Sequence, residues 1–417
     1  MTSEKKEKGL KILLIIIIFV HGATAGFFFS HQLKSKNLTT EKDKYLTFIS
    51  EVYDKITENY WDKIGDEQLT SLFVLGIEKL TGQPQNLKTN DKVHLEKLLT
   101  SIVAQMETEE KKKEFIIQLA DIVLTNLKPF GRSRLYTQKE EEALSKNVKN
   151  ITEVDHYQAL GVDKDAPPEE VEKAYSKKEK SPEVERAHKI LSNPESREAY
   201  DTAGVEPTVN SKLVRPNIFY IHITKMSPIT LNELKRLTEA VDNQNGLDSL
   251  ILDLRDNIGG SIDSLPYFLG PFIGANQYAY QFFHQGETTD FKTKTGWLPS
   301  LVRYKKMVIL INKETQSSAE VVAATLKKYN VGVVVGTPTK GWGTVEKVFH
   351  LETRLNPKEK YSIFLAHSLA LRDDGQPIEN NGVQPEIDIS HPGWEEQLYA
   401  YFHYHEMVEA VKEVLRT

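Results

Sequence analysis

Strand and helix signals alternate from residue 206 onward, and they predict an α/β core behind helical segments and an N-terminal apolar span. Three observations carry this expectation. Short apolar runs at Ile218–Ile223, Leu250–Leu254, Met307–Ile311 and Val331–Val335 have the length and flanks of buried strands. Helical patterns at Leu231–Val241 and Ala319–Tyr329 fall between them, so successive strands are expected to run parallel. Ahead of the core, Tyr45, Phe48, Ile49, Val52, Tyr53 and Ile56 recur at three- and four-residue spacing, the stripe of an amphipathic helix.

Taken in order, residues 1–35 form the first element. Lys5, Lys6, Lys8 and Lys11 precede an apolar stretch from Ile12 to Phe29. At 1.5 Å per residue this stretch spans roughly 27 Å, close to a bilayer core. The basic flank predicts a cytoplasmic N-terminus and a single-pass anchor, with the bulk of the chain extracytoplasmic. Ala23-Thr24-Ala25 also has the small-x-small pattern of a signal-peptide cleavage site, but Phe27-Phe28-Phe29 carries the apolar run past it. Both readings place the remainder outside the cytoplasm.

A helical domain is expected over 44–150, with patterns at about 66–80 and two more across 90–128, closed by Lys128-Pro129-Phe130-Gly131. A small helical unit follows at 154–204. Pro167-Pro168, Pro182 and Pro194 each open a helix, because proline is tolerated in the first turn. The α/β core occupies 206–392, and 393–417 is a C-terminal helix.

Composition excludes several functions. The 417 residues carry a formal charge of −6 with no concentrated basic field, so nucleic acid is not an expected partner. Cysteine is absent, which removes disulfides and thiolate chemistry. No histidine pairs with acidic residues at ligand spacing, so no metal is expected. Gly336 and Gly341 have phosphate-loop spacing, but Trp342 stands where that loop needs lysine. No cofactor is expected.

Two segments point to chemistry. Ser317, in Thr315-Gln316-Ser317-Ser318-Ala319-Glu320, lies just before a predicted helix, where free N–H groups favour negative charge. Ser317 and Glu320 also have the spacing of an ordinary capping box. The strand ending in Asp253-Leu254-Arg255-Asp256-Asn257-Ile258-Gly259-Gly260 must turn tightly and expose amides, as an oxyanion site or as a plain turn.

Together with Gly336 to Glu346 and the run Asp374 to Ile387, these segments resemble the C-terminal processing, or tail-specific, serine peptidases. Val52-Tyr53 to Asp66 and Leu127 to Tyr136 are similar to that family's N-terminal helical region. The resemblance implies a crotonase-like, ClpP-like peptidase core. It implies that Ser317 is the nucleophile and that Gly259, Gly260 and Ser318 supply oxyanion amides. The family's general-base lysine falls at Trp342, its glutamine at Glu346, and the proline before its glycine pair at Ile258. Lys340 is the nearest replacement base. In an extended segment it would share a face with Trp342, one strand repeat away, with Glu346 in support. His367 is a second candidate base.

The family's PDZ domain has no counterpart at 154–204. Asp155 to Val162 and Ala187 to Asp201 instead resemble the two ends of a J domain that lacks its His-Pro-Asp loop. A spacer or protein-docking module is expected there, rather than a co-chaperone. Two functions follow. One is a membrane-anchored serine endopeptidase that cleaves extracytoplasmic polypeptide tails. The other is a catalytically impaired pseudopeptidase that binds peptides as a scaffold.

Overall fold

The computed structural model describes residues 43–244 and 246–416. The apolar span at 12–29 lies outside them, and among the described residues no helix is long and apolar enough to cross a membrane. The chain divides into two compact units.

The first unit contains α1 (Lys44–Asn59), α2 (Asp66–Thr81), α3 (Lys92–Ala104) and α4 (Glu109–Thr125), joined by residues 351–358. Tyr45, Phe48, Ile49, Val52, Tyr53 and Ile56 are all buried, as their spacing predicts. A Cβ at Gly76 of α2 would lie 2.8 Å from Leu119 Cδ1 of α4, so glycine there lets the two helices approach closely. Glu51 accepts the N–H groups of Glu352 and Thr353 and ties the returning segment to α1.

The second unit begins, apart from 58–63, at Arg132. Residues 132–150 therefore go with the core and not with the helices before them, which corrects the expected boundary at 150. β1 (Arg134–Thr137) and α5 (Gln138–Val148) lead into α6 (His156–Leu160), α7 (Pro168–Lys177), α8 (Pro182–Leu191) and α9 (Pro194–Ala203). These last four helices close on Tyr157, Leu160, Val171, Ala187, Ile190 and Leu191. The ends of this insert meet in a bridge between Ile151 and Val205. Below it, buried Glu206 accepts His156 Nε2 at 2.9 Å and Arg186 Nε at 2.7 Å. Glu195 of α9 also pairs with Arg236.

The core continues with β2 (Val209–Arg215), β3 (Ile218–Ile223), α10 (Thr230–Ala240), β4 (Ser249–Asp253), α11 (Leu265–Phe268) and α12 (Gly270–Ile273). Then come β5 (Tyr278–His284), β6 (Glu287–Lys292), α13 (Pro299–Val302), β7 (Lys306–Ile311), α14 (Ser318–Lys328) and β8 (Val333–Gly336). The chain ends with β9 (Thr344–His350), β10 (Tyr361–Leu371), β11 (Ile387–Asp388), α15 (Trp394–Phe402) and α16 (His405–Arg416).

One sheet has the order β11-β8-β7-β4-β3-β2, parallel throughout except for β2. Both of its faces are covered, so its central strands read as continuous apolar runs. Met307, Ile309 and Ile311 face one core, and Val308 and Leu310 face the other, under α15 and α16. The C-terminal segment thus forms two helices where one was expected. Its break falls at His403, which has φ 50°.

A second, antiparallel sheet has the order β1-β10-β5-β6, with β9 also on β10. Of this sheet, only the apolar run Tyr361–Leu371, which forms β10, reads as a strand in the sequence. The pair β5–β6 turns through Gln285 and Gly286, both at positive φ, the two-residue hairpin geometry. The whole is a mixed α/β fold with a helical N-terminal region.

Ile309→Ala, at a fully buried central position, is expected to destabilise the chain by about 2–5 kcal/mol in urea unfolding. Glu206 gives a pH test. Burial raises its pKa, but the hydrogen bonds from His156 and Arg186 outweigh burial and leave it below the usual range. Its stabilisation is therefore complete above the unfolded value of about 4.3 and is lost as pH falls through the folded value. The melting-temperature difference between the parent chain and Glu206→Gln is expected to shrink below about pH 4.

Candidate active site

Three loops leave the carboxyl ends of the parallel strands β4, β7 and β8, where open α/β sheets place their ligands. They are joined by hydrogen bonds. Thr315 Oγ1 donates to Leu254 O at 2.8 Å and Gln316 N to Asn257 O at 3.0 Å, which joins the β7 loop to the β4 loop. Lys340 N donates to Thr315 O at 3.0 Å and brings in the β8 loop.

At the end of β4, Asp253 is fully buried and accepts from Tyr220 Oη and the Arg255 guanidinium. Arg255 also donates to Val414 O, so the turn is anchored to α16. Buried Asn257 donates to Ile223 O and accepts the Gly259 N–H at 2.9 Å.

Ser317 caps α14 with φ 57° and ψ −130°. A non-glycine residue held there stores on the order of 1–3 kcal/mol of strain, which must be offset by its surroundings. The glycine pair packs against it. A Cβ at Gly259 would stand 2.7 Å from Ser317 Cβ and 3.0 Å from Ser318 N. Gly259 O accepts Met226 N, and Ser261 N donates to Met226 O. At Gly260, a Cβ would lie 2.0 Å from Met226 O.

The Gly259 N–H is taken by Asn257, which corrects its assignment as an oxyanion donor. The N–H groups of Gly260 and Ser318 find no acceptor among the described residues. Ser317, Gly259, Gly260 and Ser318 are thus brought together, with the Gly260 and Ser318 amides left without an acceptor among the described residues.

Glu320 organises the other side. It is fully buried, and its carboxylate accepts Ser317 N at 2.9 Å, Thr339 Oγ1 at 2.5 Å, Gly341 N at 2.8 Å and Trp342 N at 2.8 Å. Burial pushes its pKa up, against the pull of these four donors. One carboxylate oxygen takes both Ser317 N and Trp342 N, so the backbones of these two residues lie side by side. Sequence reading saw Glu320 only as a capping partner. Nothing in the pattern signalled the donors from residues 339–342.

The Trp342 ring is clamped. The Arg132 guanidinium lies 3.4 Å from its centroid, and its Nε1 donates to Glu346 Oε1 at 3.3 Å. Arg132 pairs with buried Glu379, which also accepts Gly343 N. Burial raises the Glu346 pKa, and the Thr344 and Trp342 donors oppose the rise. Glu346 therefore supports the indole. Arg132 and Glu379, absent from the sequence reading, hold the ring and its loop.

Lys340 lies elsewhere. Gly341 has φ 76°, so the segment is not extended and the shared face expected for Lys340 and Trp342 does not form. Lys340 Nζ is 3.7 Å from Glu314 and 5.7 Å from the Trp342 ring centroid, and it makes no hydrogen bond to Ser317. His367 is the extra residue of a bulge in β10, stacked on His284 at 4.2 Å and bonded to Ser368. Burial, then Lys347 and His284, hold its pKa down to about 4, but it is not bonded to Ser317. No cluster able to hold a metal occurs among the described residues.

Residues 217–389 match the family model described as peptidase family S41. Over 403 residues the chain is 24% identical to the carboxy-terminal processing protease CtpA of Bacillus subtilis, covering 93% of this chain and 79% of that one. It is 23% identical over 404 residues to a probable CtpA-like serine protease of Staphylococcus epidermidis, covering 94% and 77%. Among solved structures, a photosystem II D1 C-terminal processing protease aligns with TM-score 0.49 and 14% identity, over 85% of this chain and 94% of that one.

Gly259→Ala is expected to abolish any covalent labelling of Ser317 by a serine-reactive phosphonate, since the new methyl group would displace that residue. Glu320→Gln, which replaces an acceptor oxygen with a donor, is expected to cost about 1–3 kcal/mol in denaturant unfolding.

Proposed function

We propose that this chain, whose core matches peptidase family S41, is a serine endopeptidase of the carboxy-terminal-processing type acting on extracytoplasmic polypeptide tails. One observation carries the reading. The strained Ser317 is pressed against Gly259, beside two amides that have no acceptor of their own.

In this reaction Ser317 Oγ attacks the scissile carbonyl carbon, and the carbonyl oxygen takes the negative charge. The Gly260 and Ser318 amides hold that charge, each worth on the order of 3 kcal/mol in such sites. The C–N bond breaks, the amine leaves with a proton, and water then hydrolyses the acyl-enzyme. The Oγ proton needs an acceptor, and Lys340 is the amine available in the β8 loop. To act, it must leave Glu314 and lose its own proton. Residues 12–29 anchor the chain, and the 154–204 insert, tied down at Glu206, serves as spacer or docking module.

A second reading has its own support. Trp342 occupies the position beside Ser317, and an indole accepts no proton. The groove then binds tails without cutting them.

Phosphonate labelling separates the two. Labelling that disappears in both Ser317→Ala and Lys340→Ala supports hydrolysis, whereas tail-peptide binding without labelling or turnover supports the scaffold. Trp342→Lys combined with Glu346→Gln is expected to raise peptide turnover at least ten-fold. An unchanged rate would show that an absent base is not what limits this site.

A further inference from the structure

Three short segments of the core, 265–267, 274–278 and 292–297, are hydrogen-bonded into one surface. Asn276 N donates to Thr293 O and Thr293 N to Gln277 O, both at 3.0 Å, and Lys294 N donates to Pro266 O at 2.8 Å. Thr295 Oγ1 donates to Tyr267 O at 2.5 Å. Three large rings stand out from this surface, Tyr267 at 43%, Tyr278 at 53% and Trp297 at 66% exposure.

Single exposed aromatics are ordinary, but these are gathered and held. Trp297 rests on Gly274, where a Cβ would stand 3.0 Å from the indole Cε2. Lysines lie over the other two rings. Lys292 Nζ is 4.1 Å from the Tyr278 centroid, and Lys294 Nζ is 5.1 Å from that of Tyr267. Lys328 Nζ adds a third amine and donates to Tyr278 O at 2.9 Å. Amphipathic rings beside amines suit the headgroup layer of a bilayer, where rings pack at the top of the acyl chains and amines meet phosphates. Asp263 and Asp290 line a cavity that Tyr267, Lys292 and Lys294 also line, so the positive balance is small and the rings carry most of the attachment.

We infer that this surface docks the core onto the lipid headgroups of the membrane that residues 12–29 span. The inference rests on the reading of residues 12–29 as an anchor. Residues 30–42, fully extended, reach at most roughly 45 Å, which keeps the folded chain beside the bilayer at a high effective concentration. A surface of weak intrinsic affinity therefore suffices.

The chain has no cysteine, so a single introduced one reports on one place. Gly296→Cys puts it beside Trp297, where an added Cβ meets nothing within 4 Å. Thr202→Cys, exposed in the insert, is the reference. Each full-length variant carries nitrobenzoxadiazole on its cysteine and is reconstituted into vesicles of phosphatidylcholine and phosphatidylglycerol, two to one. Lipids with a nitroxide near the headgroup are expected to quench the dye at 296 at least three-fold more than the dye at 202. Trp297→Ser combined with Tyr278→Ser is expected to remove most of that difference, and Lys292→Glu combined with Lys294→Glu a smaller part. Trp297 is mostly exposed, so Trp297→Ser alone keeps the test decisive if the double ring variant fails to fold.

Equal quenching at 296 and 202, or a difference that survives Trp297→Ser, overturns the inference. So does concentration-dependent self-association in detergent that Trp297→Ser abolishes, which would give the surface to a second copy of the chain. Flotation with the vesicles after an alkaline wash reads the anchor separately. Flotation without the quenching difference sinks the docking surface and leaves the anchor. The quenching difference without alkali-resistant flotation keeps the lipid-facing surface and sinks the anchor.

Discussion

The site depends on one buried carboxylate. Glu320 has no solvent exposure, and an ionised group so placed is tolerable only when its lone pairs are filled. Four donors fill them, one from the residue before α14 and three from the loop after β8. Two segments that separate strands would leave independent are thus held on two oxygen atoms. The constraint also explains how Ser317 stays at φ 57°, since a strained residue persists where its neighbours over-determine it.

The two halves of a serine-peptidase site, the oxyanion amides and the base, are built from different material. In the proposed reaction the oxyanion donors are the backbone amides of Gly260 and Ser318, set by the turn and by the start of α14. The base of such a site is a side chain, and a single replacement removes it. At residue 342 the indole is held by Arg132 above and Glu346 at its edge, so it is a fixed part of the wall. In the proposed site, binding an oxyanion and accepting the serine proton are therefore separable properties.

Much of the fold was legible because its pattern is local. The parallel strands are short apolar runs whose neighbours on both faces are apolar, and their turns carry Gly, Asn and Asp. The antiparallel sheet was less so. Yet Tyr278, Tyr280 and Phe282 alternate before Gln285-Gly286, a hairpin signal that periodicity alone could have found. Residues 132–150 form a strand and a helix, and neither their allegiance to the core nor their pairing with β10 has a local signature.

By itself, the sequence determined the α/β class of the core, the serine at a helix start and the glycine pair at a strand end. These rest on hydrophobic period and on residues with special backbone freedom, which act within a few positions. Only tertiary structure decided which amides are free, that Gly259 N–H is spent on Asn257, that Lys340 turns to Glu314, and that Trp342 sits beside Ser317. Those outcomes depend on partners tens of residues away, brought within hydrogen-bonding distance by the order of strands in the sheet, and no spacing along the chain encodes them.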